Sequence, residues 1–141
     1  MVIEGGKMIT IEENKPYVLF IIGNLIHDSI FYVSEISYDS ELLTLIMQSY
    51  VEVVDFNVKK RVFRLFKRPV TYRHKATLTI NNVVKYKIED SANIDSYSFS
   101  VFHYDKNNRL LDINADPDLI IKLVLSELSI KLEISDEYVE V

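Results

Sequence analysis

Apolar and polar residues alternate along much of this chain, most plainly in Ser96-Tyr97-Ser98-Phe99-Ser100-Val101-Phe102-His103. An extended segment with that pattern sets Tyr97, Phe99, Val101 and His103 on one face and serines on the other. The same period of two runs through Ala76-Leu78-Ile80 and through Leu128-Ile130-Leu132-Ile134. The pattern therefore predicts a sheet protein with one wet and one dry face. Strands are expected at Lys7–Glu12, Tyr17–Ile22, Ser29–Tyr38, Leu42–Val54, Arg61–Phe66, Ala76–Ile80, Val84–Ile88, Ser96–Tyr104, Arg109–Ala115, Leu119–Leu125 and Leu128–Ser135. Between them lie residues that favour turns, among them Gly23-Asn24, Asn81-Asn82, Asp105 to Asn108 and Asp116-Pro117-Asp118.

Register arguments refine two of these breaks. A two-residue turn at Asn81-Asn82 would mix the dry and wet faces, because side chains alternate strictly along a strand. A three-residue loop through Val83 instead pairs Ile80 with Val84, Leu78 with Tyr86 and Ala76 with Ile88. The same logic at Lys106-Asn107-Asn108 pairs His103 with Leu111, Val101 with Ile113 and Phe99 with Ala115. Asparagine tolerates the left-handed conformation such loops require. Two segments also carry helical spacing. Residues 118–128 place Asp118, Lys122, Ser126 and Ser129 on a polar stripe, with Asp116 and Pro117 fit to open a helix, and residues 42–50 have Ser40 as a cap. Strand is the favoured reading of both, with room for one short helix.

Composition points the same way. Valine and isoleucine number 32 and aromatics 16, against three alanines, a balance that suits pleated surfaces better than helix backbones. With 141 residues and neither repeats nor a linker, residues 1–141 read as a single β-rich domain with a core large enough to stand without staples. So many strands are expected to form an antiparallel, meander-like sandwich or barrel, since a flat open sheet would expose long reactive edges. No cysteine is present, which excludes disulfides, thiolate nucleophiles and sulfur-ligated zinc. The apolar run at Tyr17–Ile22 is far shorter than a membrane span and lacks a cleavage site, so the expectation is a cytoplasmic protein with no membrane association.

Charge is distributed unevenly. The net charge is −5, yet residues 59–75 hold eight cations (Lys59, Lys60, Arg61, Arg64, Lys67, Arg68, Arg73 and Lys75) plus His74, and no acid, leaving a formal −13 on the rest of the chain. A concentrated field of this kind steers an acidic partner or a polyanion. It also fits a plainer arrangement, a basic strand pair lying beside acidic neighbours. Phe63, Phe66 and Tyr72 interleave the cations, a composition shared with single-strand nucleic-acid surfaces, although an overall acidic chain repels a long polyanion.

Motifs for nucleotide binding (GxxxxGK[ST], GxGxxG) and for a serine-hydrolase elbow are absent from the sequence, and nothing calls for a cofactor or a metal. His27-Asp28 is the one adjacent imidazole–carboxylate pair that invites chemistry, as an oriented general base. Neighbours on a strand point to opposite faces, so the two share a site only at a turn or bulge. His103 is expected on the dry face as a satisfied core or rim histidine. His74, between Arg73 and Lys75, is expected as an anion contact.

One family resemblance is carried by particular residues. Ile26-His27-Asp28 opening a strand at Ser29–Tyr38, a second strand at Leu42–Met47, the run Lys75-Ala76-Thr77-Leu78-Thr79-Ile80-Asn81-Asn82-Val83 and the closing run Leu128–Ile134 together resemble small bacterial β-rich proteins. Those belong to the polymorphic-toxin immunity proteins of the class called immunity protein fifty. The likeness spans about residues 25–135, with an additional segment at Met1–Gly23 and a longer basic insertion at Lys59–Arg73. It implies a non-catalytic protein that binds and blocks a cognate toxin. The expected function is thus a protein-binding module, with two alternatives: single-stranded nucleic-acid or anion binding through residues 59–75, and a histidine-dependent enzyme.

Overall fold

Inward and outward positions alternate almost without interruption in the computed structural model, which describes residues 9–13, 17–62 and 66–140 and places side chains for 17–52 and 73–135. Among the described residues, strands β1 (Ile9–Glu13), β2 (Ile30–Tyr32), β3 (Ser37–Asp39), β4 (Thr44–Val62), β5 (Phe66–Ile80), β6 (Val83–Asp90), β7 (Ser96–Asp105), β8 (Leu110–Asp116), β9 (Leu119–Leu125) and β10 (Ile130–Glu140) accompany one α-helix, α1 (Tyr17–Ile26). The fold is mainly β, and every strand pair is antiparallel. Segments 42–50 and 118–128 are strand and turn, not helix.

The sheet runs β1-β10-β5-β4-β2-β7-β8-β9-β6, with β3 attached to β4. It does not close into a hydrogen-bonded barrel. It folds at a corner instead. The β5–β6 and β9–β10 connections lie side by side there, the Asn81 N–H donating to the Ser129 carbonyl (2.9 Å) and the Ser126 N–H to the Asn82 carbonyl (3.0 Å). The β10–β5 pair thereby leads into the β9–β6 pair at the far end of the strand order. Asn81-Asn82 is therefore not the hairpin turn expected from the sequence. Ile80 stands opposite Leu45 and Ile130, whereas Tyr86 and Ile88 stand opposite Leu123 and Ile121. Asn82 takes φ 58° to make the bend. Two further bonds pin it, from the Val83 N–H to the Leu43 carbonyl (2.8 Å) and from the Tyr38 hydroxyl to the Val83 carbonyl (2.6 Å).

Rows of apolar residues cross the strands in register. Leu45–Ile80–Ile130 and Met47–Leu78–Leu132 fill one half, Leu111–Leu123 and Ile113–Ile121 the other, and all are buried. At roughly 1.5–3 kcal/mol for each fully buried aliphatic or aromatic side chain, burial of these rows is the dominant stabilising term.

The helix corrects the strand expected at Tyr17–Ile22. Val18, Ile22 and Ile26 repeat at helical spacing and are buried with Leu19, while α1 packs against β7 and β4. Its other side is also apolar, so no polar stripe betrays the helical period. Gly23, expected in a turn, lies inside the helix, where an added Cβ would sit 4.0 Å from the Phe102 ring. The segment expected as one strand at Ser29–Tyr38 is broken into β2 and β3 by a 3₁₀ turn at Val33–Glu35.

The β7–β8 hairpin forms, and Phe99 does face Ala115. Its loop, however, holds four residues, 106–109: Arg109 adopts φ 56°, and the Asp105 carboxylate accepts from the Asn107 and Asn108 N–H groups. A bulge between Phe99 and Phe102 absorbs the difference and pairs Phe102, not Val101, with Ile113. Past that bulge the faces exchange, so Tyr97 and Phe99 are buried while Val101 and His103 are exposed.

Candidate functional site

The helix ends where the histidine–carboxylate pair begins. Ser29 N–H donates back to the Ile26 carbonyl (2.9 Å), and Asp28 takes a left-handed φ of 65° that ends α1. Two bonds then fasten the turn to β7, from the Asp28 N–H to the Phe99 carbonyl (2.9 Å) and from the Phe99 N–H to the Ser29 carbonyl (3.0 Å). The turn meets the condition under which neighbouring residues can share a site. His27 Nδ1 stands 3.1 Å from Asp28 Oδ2, with both side chains more than half exposed.

Beside this turn opens a cavity of about 510 Å³ between α1, the α1–β2 turn and the β4–β5 strands. Phe20, Ile21, Leu25, Ile30 and Val51 supply apolar wall, and His27, Asp28, Tyr50, Glu52 and Arg73 supply polar groups. Two candidate sets that are far apart in the chain, the His27-Asp28 pair and Arg73 of the basic run, thus converge on one cavity. Arg73 Nη2 pairs with Glu52 Oε1 across the strands at 3.4 Å. Exposed pairs of this sort contribute only about 0–1 kcal/mol, so a ligand can redirect either at little cost. Tyr50 donates to Glu35 (3.4 Å), and its pKa is raised by burial first and by the Glu35 charge second.

Ser29 completes a His-Asp-Ser run in sequence only. Its side chain is buried and its Oγ has no hydrogen-bond partner among the described residues, so the serine–imidazole bond that activates a hydroxyl nucleophile is not formed. His74 is also placed differently from its expectation as an anion contact. It is buried, and its Nδ1–H donates to the Ser135 carbonyl (2.9 Å) where the β5–β10 register shifts. Lys75 is exposed on β5 opposite Tyr50.

The remaining cations lie farther out on the same two strands. Register places Lys59 opposite Pro69, Lys60 opposite Arg68 and Arg61 opposite Lys67; Arg64 lies outside the described residues. The plainer reading of the basic run, cations beside acidic neighbours, is met at Arg73, which has Glu52 beside it. β10 reaches β5 as far as Glu140 opposite Tyr72. Beyond that pair, β4 and β5 have only each other among the described residues. Like charges directly opposite across a ladder are destabilising.

No family model, curated protein or solved structure matches the chain. Among the described residues no cluster of three or more His, Cys, Asp or Glu side chains is arranged to hold a metal ion, and no helix is long and apolar enough to cross a membrane. Phe20 and Ile21 do not emerge from the sequence as site residues because Tyr17–Ile22 reads as a strand, and Leu25 falls between the turn expected at Gly23-Asn24 and the strand expected from Ser29. The spacing of Val18, Ile22 and Ile26 was the available signal.

Proposed function

We propose that this chain is a non-catalytic protein-binding module, and that the surface around the α1 cavity is where it engages its partner. The observation that carries the reading is the unburied side of α1. Phe20 is 75% exposed and Tyr17 and Ile21 are also solvent-facing, next to a concave wall rimmed by the His27–Asp28 and Arg73–Glu52 pairs. An apolar centre with an aromatic anchor and a charged rim is the anatomy of a protein interface. The resemblance to immunity proteins gives this reading a specific form, neutralisation of a cognate toxin in the cell that produces it.

Replacing Phe20 by aspartate tests the reading, because an exposed side chain contributes little to folding. Affinity capture from the native host with wild-type and Phe20→Asp baits should yield a protein retained by the first and lost by the second, at equal thermal stability. Identical captures from both baits would count against the surface. For the toxin-directed form, the product of the neighbouring gene should arrest growth when expressed alone, and co-expression of this chain should restore it. Restoration that persists with Phe20→Asp would contradict the assignment.

A further inference from the structure

We infer that the partner presents an extended acidic segment that adds along the open edge of β4, with an apolar side chain in the α1 cavity and its carboxylates along the outer β4–β5 ribbon. This deepens the protein-binding reading and rests on it. Three placements lead to it. First, β4 is covered on its outer side only in part: β3 pairs with residues 44–46 and β2 with 49–50. Beyond Tyr50 that edge has no strand partner among the described residues, and it begins at Val51 and Glu52, which line the cavity. An uncovered strand edge offers main-chain bonds to an added strand.

Second, the strand continuing from that edge enters the cationic ribbon. Register passes from Asp55 opposite Val70 to Lys59 opposite Pro69, so residues 56–58 are inserted on β4 as an irregularity, and past it no acid occurs before Lys75. Third, the ribbon sets cation opposite cation at Lys60–Arg68 and Arg61–Lys67. An isolated two-stranded ribbon gains nothing from that arrangement, and an anionic strand laid beside it relieves the repulsion. A compact acidic segment fits better than a long nucleic acid, because the rest of the chain carries a formal −13 and repels a polyanion that extends past the ribbon.

The test uses the full chain and three fluorescent probes: a short Asp/Glu-rich peptide carrying one leucine, its Asn/Gln counterpart, and an oligothymidylate of equal charge. The acidic peptide should bind best and weaken about tenfold or more between roughly 50 and 200 mM salt. Arg61→Glu combined with Arg68→Glu places opposite charges across the ladder, so it should weaken the peptide about tenfold or more while the melting temperature holds or rises. Unchanged peptide affinity in that variant overturns the inference, as does a melting temperature that falls together with affinity. Tighter binding of oligothymidylate than of peptide overturns it in favour of nucleic acid. Should the peptide fail while Phe20→Asp still abolishes partner capture, the inference falls and the protein-binding reading stands; if both fail, the protein-binding reading falls as well.

Discussion

The inner and outer halves of the β4–β5 pair are the same two strands under different physical constraints. From Leu45 to Val51 and from His74 to Ile80 every second residue is buried, and neighbours lie on both sides in β10, β3 and β2. From Lys59 to Val62 and from Phe66 to Pro69 the strands pair only with each other among the described residues, and two cation pairs face across the ladder. The inner half is organised for burial. The outer half sets like charges in register across its ladder, an arrangement unfavourable to strand pairing.

The largest effect is expected in the core, where burial concentrates stability. Phe31 is fully buried, stacks on Phe99 at 4.3 Å between ring centroids and lies near Tyr97, so Phe31→Ala should cost about 3–5 kcal/mol in denaturant unfolding. A loss below about 1 kcal/mol would show that the core is placed wrongly.

Next in size is Tyr97→Phe. The hydroxyl donates to Asp90 and accepts from the Ile94 N–H, and its removal should cost about 1–2 kcal/mol. Burial and, after it, the bond to Asp90 raise the Tyr97 pKa above its ordinary value of 10.0. The folded state thus holds this proton more tightly than the unfolded chain. The corresponding stability is intact below about pH 10 and is lost as pH rises through the folded value. Tyr97→Phe should flatten that alkaline limb in equilibrium unfolding measured against pH.

Tyr38→Phe removes the bond that ties β3 to the corner at Val83 and should cost about 1 kcal/mol, with faster amide exchange at Val83 as the local readout. Smallest of all is Ser29→Ala. Because the buried Oγ has no partner to lose among the described residues, stability should be unchanged or slightly higher. A clear loss would reveal a bond that the serine makes in solution and would reopen its role in the site.

Much of the architecture could be read from periodicity, and the failures have identifiable causes. β8, β9 and β10 alternate cleanly because one face packs on the core and the other meets water, so a period of two is imposed on Leu111–Ala115, Leu119–Leu125 and Ile130–Ile134. The helix was hidden because Tyr17, Phe20 and Ile21 make its exposed side apolar as well. Asn81-Asn82 carries turn chemistry, yet whether a bend closes a hairpin or turns a corner depends on which strands wait on either side. Val101 followed the alternation until a bulge, which no residue type announces, exchanged the faces. At the site, His27 and Asp28 were legible as a pair conditional on a turn. That Arg73 lines the same cavity was not, since it depends on sheet order.

Hydrogen exchange of the full chain, free and saturated with the acidic leucine-bearing peptide, addresses the division between the two halves most directly. The peptide should add protection at residues 51–62 and 66–69 and around Phe20 to Asp28, leaving β8 and β9 unaltered. Protection confined to β6, β8 or β9, or no added protection at saturation, would contradict that expectation.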